Sequence, residues 1–222
     1  FIAYKLLGDL YLQQKKWHEA DKTFRQTIKI KPEWADIYRH IAQIALIEKD
    51  QAAAIKILRK GIDKTDATIV LVNELAAIYH NKGDHTEALA LYETAYKKQP
   101  ASVLAINNLA SYLSNVDQSQ ESLARAAKLA EPLEQTSNSH LLDTVAWIAF
   151  KQGRYDKAQG ILEKVIASSG AGPVIYYHLG MVYYKQGNNE QARFYLDRAV
   201  SAATDFDGIE QGEQVLQSIK SS

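Results

Sequence analysis

Apolar residues recur along the chain at intervals of three and four positions, which is the spacing of an amphipathic helix. The two-residue alternation of a half-buried strand is absent, and the strong helix formers Ala, Leu, Lys, Gln and Glu dominate. Short polar breaks, several of them with a glycine, separate the periodic segments. The pattern therefore predicts an all-α protein from end to end.

One pattern of small and large apolar positions recurs at an interval of 34 residues. In the first copy its members are Tyr4, Leu7, Gly8, Tyr11, Ala20, Phe24 and Pro32. In a copy near the end of the chain they are Tyr176, Leu179, Gly180, Tyr183, Gly187, Ala192, Leu196 and Ala199. This spacing predicts two helices per copy, a turn near position 15, and small residues at positions 8 and 20 that let the helices approach closely. Such a pair cannot bury its apolar face alone, so we expect the copies to stack.

The recurring residues resemble the signature of the tetratricopeptide repeat family. That resemblance implies a right-handed α-solenoid of antiparallel helix-turn-helix units. The match divides the chain into six units: 1–34, 35–68, 69–102, 103–138, 139–172 and 173–206. The fourth unit is two residues longer than the others, and either the turn at 115–119 or the segment 132–138 could hold the additional residues.

The two ends of the array differ in their patterns. Residues 207–222 carry an apolar stripe backed by Glu and Gln, which predicts a C-terminal capping helix, and Asp207 with Glu210 predicts a capping box. The first unit begins without such a cap, with Phe1, Ile2 and Leu6 available. We expect the native array to continue upstream, and self-association through the uncapped N-terminal end is an alternative.

Composition and motifs narrow the chemistry. The chain has 26 basic and 26 acidic residues and no cysteine, so nothing steers it globally toward nucleic acid, and thiolate sites are excluded. No apolar run approaches the roughly 20 residues that span a bilayer, so we expect no direct membrane insertion by this segment. Localisation stays open between cytoplasmic and periplasmic or outer-membrane-associated, with any targeting segment upstream of Phe1. No GxSxG or HExxH motif is present, and the six histidines lack metal-ligand spacing. We therefore expect no catalytic residue, metal or cofactor.

The resemblance implies a concave groove lined by the first helix of each unit. Charged residues at these positions balance, and the Lys/Asn set of the family's carboxylate clamp is not matched. Asn side chains can pair with a peptide backbone, and aromatic and Met side chains offer adaptable apolar area. The predicted residues that bind a peptide or partner segment are Asn73, Asn107, Asn108, Ser111, Asp143, Trp147, Tyr177, His178, Met181 and Tyr184.

The sequence thus predicts a non-enzymatic scaffold that binds a protein or peptide in its concave groove. One alternative is a partner-recruiting or self-associating part of a larger bacterial secretion or exopolysaccharide protein. It rests on the segments 107–110 and 142–147, which resemble long bacterial repeat proteins of exopolysaccharide (PEP-CTERM) systems. Another is a carbohydrate-binding groove, because Trp and Tyr faces also stack on sugars.

Overall fold

A computed structural model describes residues 1–169, 172–202 and 206–220, and these residues form helices and connecting turns without any strand. The predicted all-α fold is confirmed. The α-helices are α1 (Ile2–Gln13), α2 (Trp17–Ile30), α3 (Ala35–Ile47), α4 (Gln51–Lys64), α5 (Ile69–Asn81), α6 (His85–Lys98), α7 (Val103–Val116), α8 (Gln120–Ala130), α9 (Ser139–Lys151), α10 (Tyr155–Ser169), α11 (Pro173–Lys185), α12 (Asn189–Ser201) and α13 (Ile209–Lys220). A short 3-10 helix, Glu131–Gln135, follows α8.

The chain divides into two compact parts, an N-terminal part (Phe1–Ile106) and a C-terminal part (Asn107–Ser222), with the division inside α7. In the N-terminal part α1 packs on α2, α3 on α4 and α5 on α6. The successive pairs contact each other through α2 with α3 and through α4 with α5. Gly8 lets α1 approach α2 closely, because a Cβ atom at Gly8 would lie 2.4 Å from Cε1 of Phe24. Phe24 is fully buried as a result.

The C-terminal part is built in the same way. Here α9 packs on α10, α11 on α12, and α13 on α12 and α11. One hydrophobic core runs through these five helices and includes Leu162, Leu179, Leu196 and Leu216. Tyr183 is buried in this core, as its repeat position predicts.

In every predicted repeat except the fourth, the turn between the two helices uses a left-handed residue at the fifteenth position. The residue is glycine at Gly83, Gly153 and Gly187, where φ is 75–79°. In the first two units lysine takes this place, at Lys15 with φ 56° and Lys49 with φ 62°. The backbone at this position therefore keeps its conformation even where the sequence does not supply the residue that favours it.

The additional residues of the fourth unit are split between both segments that could hold them. The helix α8 begins at the eighteenth position of its unit, whereas α2, α4, α6, α10 and α12 begin at the seventeenth. The second additional residue lies after α8, where the 3-10 helix leads into α9. Leu133 of this 3-10 helix is buried, so the insertion contributes to the core.

The C-terminal helix α13 buries Val215 and Leu216, as the apolar stripe predicts. The predicted capping box at Asp207 is wrong. Gly208 has a φ of 99°, outside the helical region, so the helix begins only at Ile209. Ser221 and Ser222, the last residues of the predicted capping segment, lie outside the described residues.

Candidate peptide-binding cleft

A cleft of about 380 Å³ opens in the C-terminal part, and four helices line it. Its walls come from α7, α9 and α11, each of which is the first helix of its repeat, and from the start of α13. The lining residues are Ser111, Ser114, Asn115, Asp143, Thr144, Trp147, Lys151, Val174, Tyr177, His178, Asp207, Gly208 and Gln211. Most of them carry polar groups, so the cleft offers hydrogen-bonding groups as well as apolar surface.

A hydrogen-bonded pair joins α9 to α11 at the wall of the cleft. The Nδ1 atom of His178 lies 2.7 Å from Oδ1 of Asp143, and the two side chains are 9% and 14% exposed. A carboxylate only accepts hydrogen bonds, so Nδ1 carries the hydrogen and Nε2 is the acceptor nitrogen of the neutral ring. The pair fixes the orientation of the imidazole.

Trp147 stacks on this imidazole, with ring centroids 3.9 Å apart. Phe150 also stacks on Trp147 at 4.6 Å, and Nζ of Lys151 lies 5.1 Å from the centroid of the same ring. The indole Nε1 donates a hydrogen bond to Oδ1 of Asn115 at 3.2 Å. The indole is therefore held by neighbours of its own chain, and little of its face is free to stack on a ligand.

Tyr177 lines the cleft as predicted, but it is only 2% exposed, so most of its ring is not accessible to a ligand. The start of α13 covers its ring: a Cβ atom at Gly208 would lie 2.6 Å from Cε1 of Tyr177. Its hydroxyl donates to Oε1 of Gln211 at 2.8 Å and so remains at the edge of the cleft. Burial, together with the charge of Asp207, raises the pKa of Tyr177 to about 12.

The prediction that Met181 lines the groove is wrong. Its side chain is buried in the core that also contains Val215 and Leu216 of α13. Because α13 packs against α11, groove positions of the last repeat become interior positions. Tyr184 is half-buried against that core and does not line the cleft.

The three asparagines that were predicted to bind a peptide do not line the cleft. Asn107 and Asn108 are on α7 but outside the lining of the cleft, and Nδ2 of Asn107 donates to Oδ1 of Asn108 at 3.3 Å. Asn73 is exposed on α5 of the N-terminal part. The structure therefore brings together five of the ten predicted residues: Ser111, Asp143, Trp147, Tyr177 and His178.

Models of known protein families give three matches to this chain. All three models describe the tetratricopeptide repeat, and they match residues 5–67, 71–104 and 149–211. The chain belongs to the tetratricopeptide repeat family. A comparison with curated protein sequences finds no match.

Solved structures share this tetratricopeptide fold at low sequence identity. PilF of Pseudomonas aeruginosa is 17% identical with a TM-score of 0.66, over 99% of this chain and 96% of that one. Cut9 in an APC/C hetero-tetramer with Hcn1 is 16% identical with a TM-score of 0.67, over 97% and 42%. Yeast Tom70 is 18% identical with a TM-score of 0.65, over 91% and 43%. The chain thus spans less than half the length of the Cut9 and Tom70 chains.

Sequence reasoning about this tetratricopeptide array missed the contribution of α13 to the cleft. Asp207, Gly208 and Gln211 line it, although residues 207–222 were expected only to cap the array. A signal was present: Gly208 and Gly212 stand one helical turn apart, and both lie against the ring of Tyr177. Small residues at that spacing indicate that a large side chain is accommodated.

Lys151 of α9 also lines the cleft, at one of the groove positions whose charges were expected to balance. Burial lowers the pKa of Lys151, and the carboxylate of Asp207 opposes this effect. The two residues place opposite charges in the same cleft lining.

Neither a metal site nor a membrane span is found within residues 1–169, 172–202 and 206–220. These residues contain no group of three or more His, Asp or Glu side chains arranged to hold a metal ion. They also contain no helix with the length and apolar character that crossing a bilayer requires.

Proposed function

We propose that this chain is a non-enzymatic protein-interaction scaffold whose cleft between α7, α9, α11 and α13 binds an extended peptide segment. The tetratricopeptide repeat fold supports the coarser part, since α-solenoids present extended binding surfaces. The observation that carries the finer part is the convergence of hydrogen-bonding groups from four helices on one cleft. Groups that both donate and accept suit a peptide backbone, which offers both.

The charge distribution favours a peptide of low net charge. Lys151 and Asp207 both line the cleft, and Asp143 is engaged by His178. The lining carries one lysine and two aspartates, an excess of one charge that is too small to select a strongly basic segment. Ser111, Asn115 and Thr144 supply uncharged donors and acceptors on the α7 and α9 walls.

The arrangement around His178 argues against catalysis. Within the described residues, the imidazole hydrogen-bonds to Asp143 and to no hydroxyl group. The hydroxyl of Ser114 donates instead to the backbone oxygen of Ser111 at 2.9 Å. A nucleophile activated by a neighbouring base is therefore not formed.

The carbohydrate alternative loses its main support in the same region. Sugar binding by stacking needs an open aromatic face, and Trp147 is already contacted by Phe150, Lys151 and His178. Tyr177 is buried beneath α13. A peptide bound by polar contacts is the ligand that the cleft fits better.

A random 12-residue phage-displayed peptide library panned on the intact chain tests this proposal. Arginine at two half-buried lining positions, Ser111→Arg on α7 and Thr144→Arg on α9, should obstruct the cleft. We expect enriched peptides to bind the unaltered chain and to lose at least tenfold in affinity on this double variant. A chain with Glu190→Arg, an exposed position on α12 away from the cleft, is the matched control and should bind as before. Peptides that bind all three chains equally, or a library that yields no enrichment, would overturn the proposal, provided circular dichroism shows the double variant folded.

A further inference from the structure

A tyrosine contact between neighbouring repeats occurs in both parts of the chain. Nη2 of Arg59, at position 25 of the second repeat, donates a hydrogen bond to the hydroxyl of Tyr79 at 2.7 Å. In the C-terminal part, the hydroxyl of Tyr183 donates to Oε1 of Glu163, at position 25 of the fifth repeat, at 2.5 Å. Both tyrosines stand at position 11 of the following repeat, and both are less than a tenth exposed. A tyrosine side chain therefore fills the same place between repeats twice.

The last repeat shows which positions enclose such a tyrosine. The ring of Tyr195, at position 23 of the same repeat, stacks on that of Tyr183 with the centroids 5.7 Å apart. Nε2 of Gln159, at position 21 of the preceding repeat, lies 3.0 Å from Oε1 of Glu163 and 3.4 Å from the tyrosine hydroxyl oxygen. Positions 21 and 25 of one repeat and position 23 of the next thus surround the aromatic side chain.

The second repeat has the enclosing positions but not the tyrosine. Its position 11 is Ala45, which has neither a ring nor a hydroxyl group. Arg25, at position 25 of the first repeat, pairs instead with position 21 of its own helix, where its Nε lies 2.6 Å from Oδ2 of Asp21. Ile57 takes position 23 of the second repeat.

A cavity of about 390 Å³ lies between α2 and α4 at these positions. The lining residues are Arg25, Ala53, Lys56, Ile57 and Lys60. Two of them, Arg25 and Ile57, correspond in repeat position to the residues that enclose Tyr183 in the last repeat. The cavity therefore coincides with the place of the missing tyrosine.

The charge of this lining sets it apart from the corresponding positions elsewhere. Position 25 of one repeat and positions 22 and 26 of the next are here Arg25, Lys56 and Lys60. Between α4 and α6 the same positions are Arg59, Ala90 and Thr94. Between α10 and α12 they are Glu163, Phe194 and Arg198. Within the described residues, three cations and no carboxylate line the α2–α4 cavity, although the whole chain has no net charge.

We propose that the cavity between α2 and α4 binds a tyrosine side chain of a partner protein, within an acidic segment whose carboxylates flank that tyrosine. The ring packs on Ile57 and the hydroxyl accepts a hydrogen bond from Arg25, as the tyrosine of the third repeat does from its own arginine. The flanking carboxylates pair with Lys56 and Lys60, which stand one helical turn apart. A nucleic acid fits less well, because its phosphates need an extended basic surface and not three cations around one apolar floor.

This cavity is separate from the peptide-binding cleft. Its lining belongs to the N-terminal part, whereas every residue that lines the cleft belongs to the C-terminal part. The proposal can therefore fail or hold without regard to the cleft.

Fluorescence anisotropy with the intact chain and labelled nine-residue peptides tests the proposal. The reference peptide is Gly-Ser-Glu-Glu-Tyr-Glu-Glu-Ser-Gly, and its companions replace Tyr with Phe, Tyr with Ala, or all four Glu with Gln. We expect saturable binding of the reference peptide and at least a tenfold loss of affinity for the Ala and Gln peptides. The Phe peptide keeps the ring but lacks the hydroxyl, so it should lose twofold to fivefold.

Variants of the chain locate the bound peptide. Lys56→Glu with Lys60→Glu changes two exposed positions, so the fold should persist, and the reference peptide should lose at least tenfold in affinity. Lys97→Glu with Lys164→Glu makes the same charge change at exposed positions on α6 and α10 and should bind as before. Ala45→Tyr supplies the missing ring from the chain itself and, where circular dichroism shows it folded, should also abolish binding.

Equal binding to the unaltered chain and to Lys56→Glu with Lys60→Glu, equal binding of the Tyr and Ala peptides, or no binding of any peptide would overturn the proposal. A loss on Ser111→Arg with Thr144→Arg would overturn it too, because the peptide would then occupy the cleft. Tighter binding of a labelled 12-nucleotide single-stranded DNA, lost on the lysine double variant, would identify a phosphate-binding surface instead.

Discussion

Gly180 of α11 lies directly against Leu196 of α12: a Cβ atom at Gly180 would be 2.6 Å from Cγ of Leu196 and 3.1 Å from its backbone nitrogen. The backbone of α12 cannot give way as a flexible side chain would. This contact sets the distance between the two helices of the last repeat, and with it the position of α11 in the wall of the cleft.

Replacing Gly180 with Ala should therefore destabilise the chain by about 1–3 kcal/mol, the usual cost of overpacking a core. Gly160 of α10 is the matched control, since a Cβ atom at Gly160 would have no neighbouring atom within 4 Å. There, Ala should stabilise by about 0.5–1 kcal/mol through helix propensity alone. Urea unfolding followed by circular dichroism measures both changes. Equal effects at the two positions would show that close approach at Gly180 is unimportant.

The left-handed turn position gives a second prediction. Lys49 has a φ of 62° and Gly83 a φ of 79° at the same place in neighbouring units. A left-handed conformation costs a side-chain-bearing residue roughly 1–2 kcal/mol, partly offset by the greater freedom of glycine in the unfolded chain. Lys49→Gly should therefore stabilise by about 0.5–1 kcal/mol.

The reverse change, Gly83→Lys, should destabilise by a similar amount. No atom lies within 4 Å of a Cβ placed on Gly83, so any loss reports on backbone conformation and not on a clash. Thermal unfolding of both variants checks the pair. A loss of stability in Lys49→Gly would contradict the argument.

These turns illustrate how much of the fold the sequence predicts. The helical spacing and the small residues at Gly8 and Gly180 are local signals that repeat, so they predict the helices, their pairing and the turn near position 15. The two additional residues of the fourth unit carry no such signal. Their split between the start of α8 and the 3-10 helix depends on how Leu133 reaches the core, which is a tertiary effect.

The cleft is predicted less completely because it depends on a helix outside the repeat pattern. Family positions identify Asp143, Trp147 and His178 as lining residues, and the structure places them there. The same positions fail for Met181 and leave little of Tyr177 accessible, since α13 packs over the last repeat and buries both side chains. A repeat-based rule treats every unit alike, whereas a terminal unit has a different neighbour on one side.

The pair of Asp143 and His178 supports a third prediction. Asp143→Ala leaves the nearly buried Nδ1 hydrogen of His178 without its acceptor, so we expect a loss of about 1–3 kcal/mol in the free energy of unfolding. Asp197→Ala is the matched control on another helix. Asp197 pairs with Arg193 and Lys220, but all three side chains are 45–58% exposed.

An exposed ion pair contributes about 0–1 kcal/mol, so the control should change little. Urea unfolding at low and high salt separates the two cases, because salt screens the exposed pair more strongly. Equal losses at Asp143 and Asp197 would indicate that burial adds nothing to the His178 contact.

His40 of α3 should make the free energy of unfolding depend on pH. Its Nδ1 atom is buried without a hydrogen-bond partner among the described residues, and its ring lies 5.1 Å from that of Phe24. Burial lowers the pKa of His40, the nearby Arg39 and Lys5 lower it further, and the carboxylates of Asp9 and Asp36 oppose them. The folded state therefore favours the neutral imidazole.

Because the pKa of His40 is lower in the folded chain than the ordinary value of about 6.5, the unfolded chain binds more protons as pH falls below that value. The stabilisation is fully present above about pH 6.5 and is lost as pH falls through the folded pKa of His40. Unfolding free energies measured from pH 7.5 to pH 5 should decline more steeply for the unaltered chain than for His40→Gln. His18 is exposed on α2, so His18→Gln should keep the original slope. A His40→Gln chain with the same slope as the original would place the pH dependence elsewhere.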